Sequence, residues 1–386
     1  MVNYDGLYNK NFFGNKLNKN HFSDKKLSFT VIENGIITPF NCFIVDNKKA
    51  GFGGIIDAEG KFIPRSFIHE GVGDAIPPKD FENIPETVIY LGMLTHTWGH
   101  CLTDNIKRIW FLRSDFYKEN FKNCKLVYVP MYDGITKNFA RLLEILGVSA
   151  ENLMPILTPT KFEKIILPDE SFFGGGDSDE RFFTAEYVET INQIKNFALK
   201  NYSPLATKKF YFFYGNNQIG EGRLAEYFYS KGYEIIQPEK LSFDEQLNIL
   251  SNCNDFASTI GSISHNIIFL KENSNAVLIP RVSHILNNYQ QALNQIFDLN
   301  IFYIDSALSL YAVNYGGPFC YIVSENLRKY FNDNSDEKFL IEDFITFIEY
   351  AKFAKVHGLK INPNEREYFG KIFTEFTTQL LKNNQR

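Results

Sequence analysis

Short apolar runs alternate with amphipathic stretches along most of this chain. Thr87-Val88-Ile89-Tyr90-Leu91-Gly92 reads as a buried strand closing on a glycine turn, and apolar residues at helical spacing predict a helix over 104–116. Strands follow at 125–129 and 164–168, with an amphipathic helix at 137–146 that stops at Gly147. Before them, 27–65 alternates short apolar segments with Gly and Asn, the pattern of a small β-rich entry region. A polar, glycine-rich stretch at 169–181 and a helix at 185–199 lead to a break near 201–209. The alternation then resumes: strands at 210–214, 233–236, 255–260 and 276–279, and helices at 223–231, 242–251 and 264–272. The last residues, 337–382, are helical by pattern, with an interruption around 358–364.

Strands alternating with helices predict parallel sheets covered by helices. The expected fold is therefore α/β, with two Rossmann-like domains facing a cleft and a helical tail. The boundaries are 1–200 for the entry region and first domain, 201–325 for the second, and 326–386 for a tail that can pack back on the first. At 386 residues the chain has room for two or three domains.

Composition narrows the classes. With 44% hydrophobic and 22% charged residues the chain carries enough apolar side chain for packed cores. Its net charge of −5 and the absence of a basic and aromatic pattern argue against nucleic acid as partner. The 38 Phe and 21 Tyr beside 2 Trp read as compositional drift of the kind an AT-rich coding sequence produces. Cys42, Cys101, Cys124, Cys253 and Cys320 are scattered and form no CxxC pair, which predicts free thiols in a reducing compartment. No stretch has the apolar length of a membrane span, and residues 1–20 have no signal-peptide core, so the expectation is a cytoplasmic protein, with peripheral contact at the inner membrane face as the most membrane association it would have.

The sharpest local signal is Ser258-Thr259-Ile260-Gly261-Ser262-Ile263-Ser264-His265-Asn266, at a turn from a strand into a helix. Free backbone N–H groups at such a turn suit a diphosphate. Gly261 permits close approach, Ser262 and Ser264 supply hydroxyls, and Asn266 can hold the loop. A plain serine helix cap fits the same residues.

Pro238-Glu239-Lys240-Leu241-Ser242-Phe243 with Glu245-Gln246, followed by Gly261, Ser262 and Asn266, resembles the carboxy-terminal signature of glycosyltransferase family 61, although His265 stands one residue before Asn266, displaced from the family's usual histidine. Thr97-Trp98-Gly99-His100-Cys101-Leu102-Thr103-Asp104-Asn105-Ile106 is similar to its amino-terminal signature. The resemblance covers roughly residues 85–282. It implies the GT-B arrangement, inversion at the anomeric carbon, a nucleotide-sugar donor, expected to be UDP-linked, and a glycan acceptor in surface or capsular polysaccharide assembly, conceivably lipid-linked. Gly261, Ser262, Ser264, His265 and Asn266 would bind the donor, with Gly215 and Asn216 at the preceding strand end. Where the family commonly has an arginine, this chain has Tyr214-Gly215-Asn216, and Arg223 is the expected substitute. Glu245 and Gln246 would hold the donor ribose or pin the loop. His96 and Trp98 would border the acceptor.

For catalysis, His96, His100 and Asp104 are spaced to share one helix face. An inverting transferase needs a base for the acceptor hydroxyl. Asp104 is the expected base, with His100 orienting it or sharing the proton, since both match the family positions; His100 as base with Asp104 fixing its tautomer also fits. Helix capping fits as well. The same triplet could bind zinc, but it lacks the Glu of the metalloprotease motif. Asp177-Ser178-Asp179 has the form of a divalent-ion DxD motif, yet follows Gly174-Gly175-Gly176 rather than a buried strand. The expectation is metal-independent transfer with no cofactor. Two other functions remain: a non-catalytic nucleotide-sugar-binding scaffold, or a metal-dependent hydrolase.

Overall fold

In a computed structural model of the chain, the described residues are 1–7, 17, 19–40, 43–45, 48–50, 53–67, 75–132, 134–174, 180–215, 218–282, 286–308, 311, 317–333, 341–360, 374–375, 377–379 and 381–382. Asn216, Cys42 and the Asp177-Ser178-Asp179 triplet lie outside them. The chain divides into two compact units. His21–Tyr202 and Ser242–Leu247 form the amino-terminal unit; Met1–Asn20, Ser203–Leu241 and Asn248–Arg386 form the carboxy-terminal unit. The strand β1 (Val2–Gly6), which the sequence groups with the first domain, pairs parallel inside the carboxy-terminal unit.

The sheet of the amino-terminal unit contains β2 (Phe29–Glu33), β3 (Ile36–Thr38), β4 (Gly54–Ile56), β5 (Glu82–Thr95), β6 (Lys125–Met131), β7 (Leu153–Pro155) and β8 (Thr160–Pro168). Its order is β4-β3-β8-β5-β6-β7, with β2 also on β8. The four later strands are mutually parallel and the entry strands antiparallel. In chain order the parallel part reads 3-2-1-4, one half of a doubly wound Rossmann sheet. Val88, Tyr90, Met93, Val127, Val129, Phe162, Ile165 and Leu167 form its core. Each such side chain contributes roughly 1.5–3 kcal/mol by leaving water.

The helix expected over 104–116 does not form. Helix α1 (Trp98–Leu102) ends at Thr103, whose φ −124° and ψ −83° leave the helical region, and the chain continues through a 3₁₀ turn at Ile109–Arg113 to a short helix at Asp115–Asn120. The Asn105 side chain accounts for the break. It donates to Thr95 O at 2.8 Å and accepts from Thr95 N, tying the chain back to the end of β5. Helix α2 (Lys137–Ile145) and helix α3 (Ala185–Asn201) follow the sequence pattern closely.

The carboxy-terminal unit holds β9 (Lys209–Phe212), β10 (Glu234–Ile236), β11 (Asp255–Thr259), β12 (Asn275–Ile279) and β13 (Asn300–Ile304), in the order β1-β13-β12-β11-β9-β10, parallel throughout. Counting from β9, this is the 2-1-3-4-5 order of flavodoxin-like folds, with its switch point between β9 and β11. Helix α4 (Glu221–Ser230) joins β9 to β10, and α5 (Phe243–Asn252) precedes β11. After β12 comes α6 (Asn288–Leu293). The expected helix over 264–272 is a 3₁₀ segment, Ser264–Phe269, too short to sum a strong dipole. From the tail, α7 (Ile341–Val356) buries Phe344 and Tyr350 against Leu308, Cys320 and Ile322 of this same unit. Among the described residues no helix is long and apolar enough to cross a membrane.

Candidate functional site

At the carboxyl end of β5, His100 and Asp104 meet. His100 Nδ1 lies 2.5 Å from Asp104 Oδ2 although no continuous helix links them. Asp104 is 5% exposed and also accepts from the Thr103 hydroxyl at 3.2 Å, whereas the His100 side chain is 32% exposed. The buried carboxylate thus orients the imidazole. Tyr187 secures the turn by donating to Leu102 O. His96 is exposed at the strand end with its ring 5.7 Å from Tyr132.

Deeper at the same sheet, charge is buried and matched. Arg108 lies against Gly92, where a Cβ would be 2.8 Å from its Nη1. Its Nε donates to Pro168 O, Nη1 to Leu91 O, and Nη2 to Arg65 O and Glu170 Oε1. Lys107 reaches the same Glu170 oxygen at 2.7 Å. Burial pushes the Lys107 ammonium below its ordinary value, while Glu170 acts in the opposite direction. Among the described residues no group of three His, Cys, Asp or Glu side chains converges as a metal cluster.

The Leu241–Leu247 segment is pinned rather than open. Glu245 accepts from Ser242 N and Oγ, both at 2.7 Å, while Ser242 Oγ accepts from Glu245 N, a capping box at the start of α5. Asp244 forms a two-point ion pair with Arg141, 2.8 and 3.0 Å, which holds its carboxyl below the usual range. Phe243 packs on Trp98, ring centroids 5.5 Å apart. Gln246 is buried. Among the described residues, the hydrogen bonds of Glu245 cap its own helix at Ser242 and reach no residue of the 261–266 loop, and Trp98 packs against the protein's own Phe243.

In the carboxy-terminal unit, the switch point lies between Tyr214-Gly215 after β9 and Ile260-Gly261 after β11. Ser264 is fully buried: its hydroxyl donates to Gly261 O, accepts from Gly261 N, and contacts Gln290 Oε1. Gln290 continues through Asn294 to Tyr303. Asn266 is buried and donates to Ile263 O, and the buried His265 stacks near Tyr289. Of the predicted loop residues, the half-buried Ser262 alone keeps an accessible side chain. Arg223 reaches Asp343 and Glu342 on α7, 3.4 and 3.6 Å away.

Residues 98–277 match the Glycosyltransferase 61 family model. That span carries both signatures described above, and the match supports glycosyltransferase activity. No curated protein matches the chain. Within the glycosyltransferase 61 span and just beyond it, two side chains at the switch point escaped the sequence reading. Glu221, at the first position of α4, is 1% exposed and accepts at Oε1 from Tyr214 N and from the Thr259 hydroxyl, both 3.3 Å. Burial raises its carboxyl above the ordinary value, opposed by those hydrogen bonds and by the charge of Arg281. Arg281 follows β12, and a Cβ on Gly261 would sit 2.2 Å from its Nη2. The only sequence signal for Arg281 is a basic residue just past a buried parallel strand, after Ile279-Pro280.

Proposed function

We infer that the protein is an inverting, metal-independent glycosyltransferase that moves a sugar from a nucleoside diphosphate donor, UDP-linked by preference, to a hydroxyl of a glycan in surface polysaccharide assembly. The contact between His100 and a buried Asp104 carries the reading. His100 Nε2 removes the acceptor proton as the acceptor oxygen bonds to the anomeric carbon; the bond from that carbon to the diphosphate oxygen breaks, and the electron pair leaves with the diphosphate. Asp104 holds the proton on Nδ1 and stabilises the imidazolium. His96 borders the acceptor. The donor phosphates lie over Gly261 and Ser262 at the switch point, where open α/β sheets bind ligands, with Gly215 on the neighbouring loop. A lipid-linked acceptor at the inner membrane face fits the expected pathway.

His100→Ala should lower kcat by about 10²–10⁴ with UDP affinity unchanged, and Asp104→Asn should fall in the same range. Product formation from UDP-sugars by the two variants at wild-type rate would remove His100 and Asp104 from the reaction, and wild type that binds UDP without transferring any sugar would leave the non-catalytic scaffold as the function.

A further inference from the structure

We propose that Arg281 is the residue that recognises the donor diphosphate, taking the place of the arginine that β9 lacks. This rests on the donor-binding reading above. Arg281 and Gly261 close the carboxyl ends of β12 and β11, next to the switch point. The guanidinium is held by rings: its centre lies 5.7 Å from the Tyr214 ring centroid and 5.0 Å from that of Phe319. Rings position a cation without neutralising it.

The hydrogen-bond inventory points the same way. Arg281 Nε is buried with no hydrogen-bond partner, whereas the nearby Tyr211 and Tyr321 side chains engage Glu221 and Thr259. These groups are electrostatic neighbours: Glu221 acts on Tyr211 and Tyr321, and Arg281 on Tyr321 and Glu221. The Nε of Arg281 is therefore a buried donor left open, which an anionic ligand would satisfy. The guanidinium fork matches two phosphate oxygens at once. Gly261, at φ +155°, has no side chain to hold the fork away. Arg108, by contrast, has partners on Nε and both terminal nitrogens, so an arginine laid over a glycine in this protein is not unpartnered by default.

The test titrates inorganic pyrophosphate, UMP and UDP into wild type, Arg281→Gln, Arg281→Lys and Arg223→Gln, read by calorimetry and by the rise in melting temperature on binding. Wild type should bind pyrophosphate, and UDP more tightly than UMP. Arg281→Gln should weaken pyrophosphate and UDP about 10–100-fold with UMP much less affected; Arg281→Lys, a point charge, should fall between. Unliganded melting identifies a misfolded Gln variant, in which case the Lys variant decides by the same readout. The assignment is overturned by undiminished pyrophosphate affinity in both Arg281 variants, by a loss confined to Arg223→Gln, or by wild type that binds neither pyrophosphate nor UDP. Turnover separates this from the transferase reading. Pyrophosphate bound through Arg281 without sugar transfer from any nucleotide sugar would overturn that reading and leave the anion site standing.

Discussion

Two arginines in this protein lie over two glycines at parallel strands, and only one of them has a hydrogen-bond partner on every nitrogen. Arg108, 1% exposed, covers Gly92 and shares Glu170 with Lys107 while donating to three backbone carbonyls. Arg281 covers Gly261 from between two aromatic rings with its Nε unmatched. A buried cation with a partner on every nitrogen is part of the scaffold, and removing it leaves other buried groups unsatisfied. A cation held by rings keeps its hydrogen bonds for something else.

The largest effect expected from this contrast is on stability. Arg108→Met should cost about 3 kcal/mol in urea unfolding, because the Pro168, Leu91 and Arg65 carbonyls lose a donor while Lys107 still pairs with Glu170. A loss below about 1 kcal/mol would mean that Arg108 behaves as a surface charge and the contrast fails.

Gly261→Ala sharpens the other side. Its Cβ would occupy the place of an Arg281 nitrogen, so the head must move, and pyrophosphate affinity should fall about tenfold with a smaller change in melting temperature. Unchanged affinity would show that the fork need not lie over residue 261.

The smallest expected effect is a pH dependence at Glu221. Its native carboxyl is raised by burial, so the unfolded chain releases this proton at lower pH than the folded one. Glutamate therefore destabilises the fold progressively as pH rises from the ordinary carboxylate range through the native value. Glu221→Gln should melt with wild type at low pH and above it at neutral pH. A gap that is constant with pH would show that Glu221 does not titrate differently on folding.

Much of the architecture was legible in the chain. The runs at 125–129, 164–168 and 276–279 lie within the strands Lys125–Met131, Thr160–Pro168 and Asn275–Ile279, because buried parallel strands need continuous apolar residues. The 104–116 helix failed because periodicity does not register Asn105 bonding back to Thr95. The site was legible in part. His100 and Asp104 do touch, but through a turn and not along a helix face, and Asp104, the expected base, is the buried member of the pair while His100 is the more exposed. Ser264 and Glu245 have the residue types of ligand contacts, yet their hydrogen bonds go to Gly261, Gln290 and Ser242.

The sequence by itself determined most strands of the parallel sheets, though not β1, β7 or β13, since local periodicity and turn chemistry act over a few residues. Tertiary structure alone decided which polar groups use up their hydrogen bonds on the protein. Arg108 meets Pro168 and Glu170 some sixty positions away, while Arg281 meets Gly261, Tyr214 and Phe319 only because separate stretches of chain close the same end of one sheet. Partnership between distant residues depends on where the folded backbone brings them, and no local pattern encodes it.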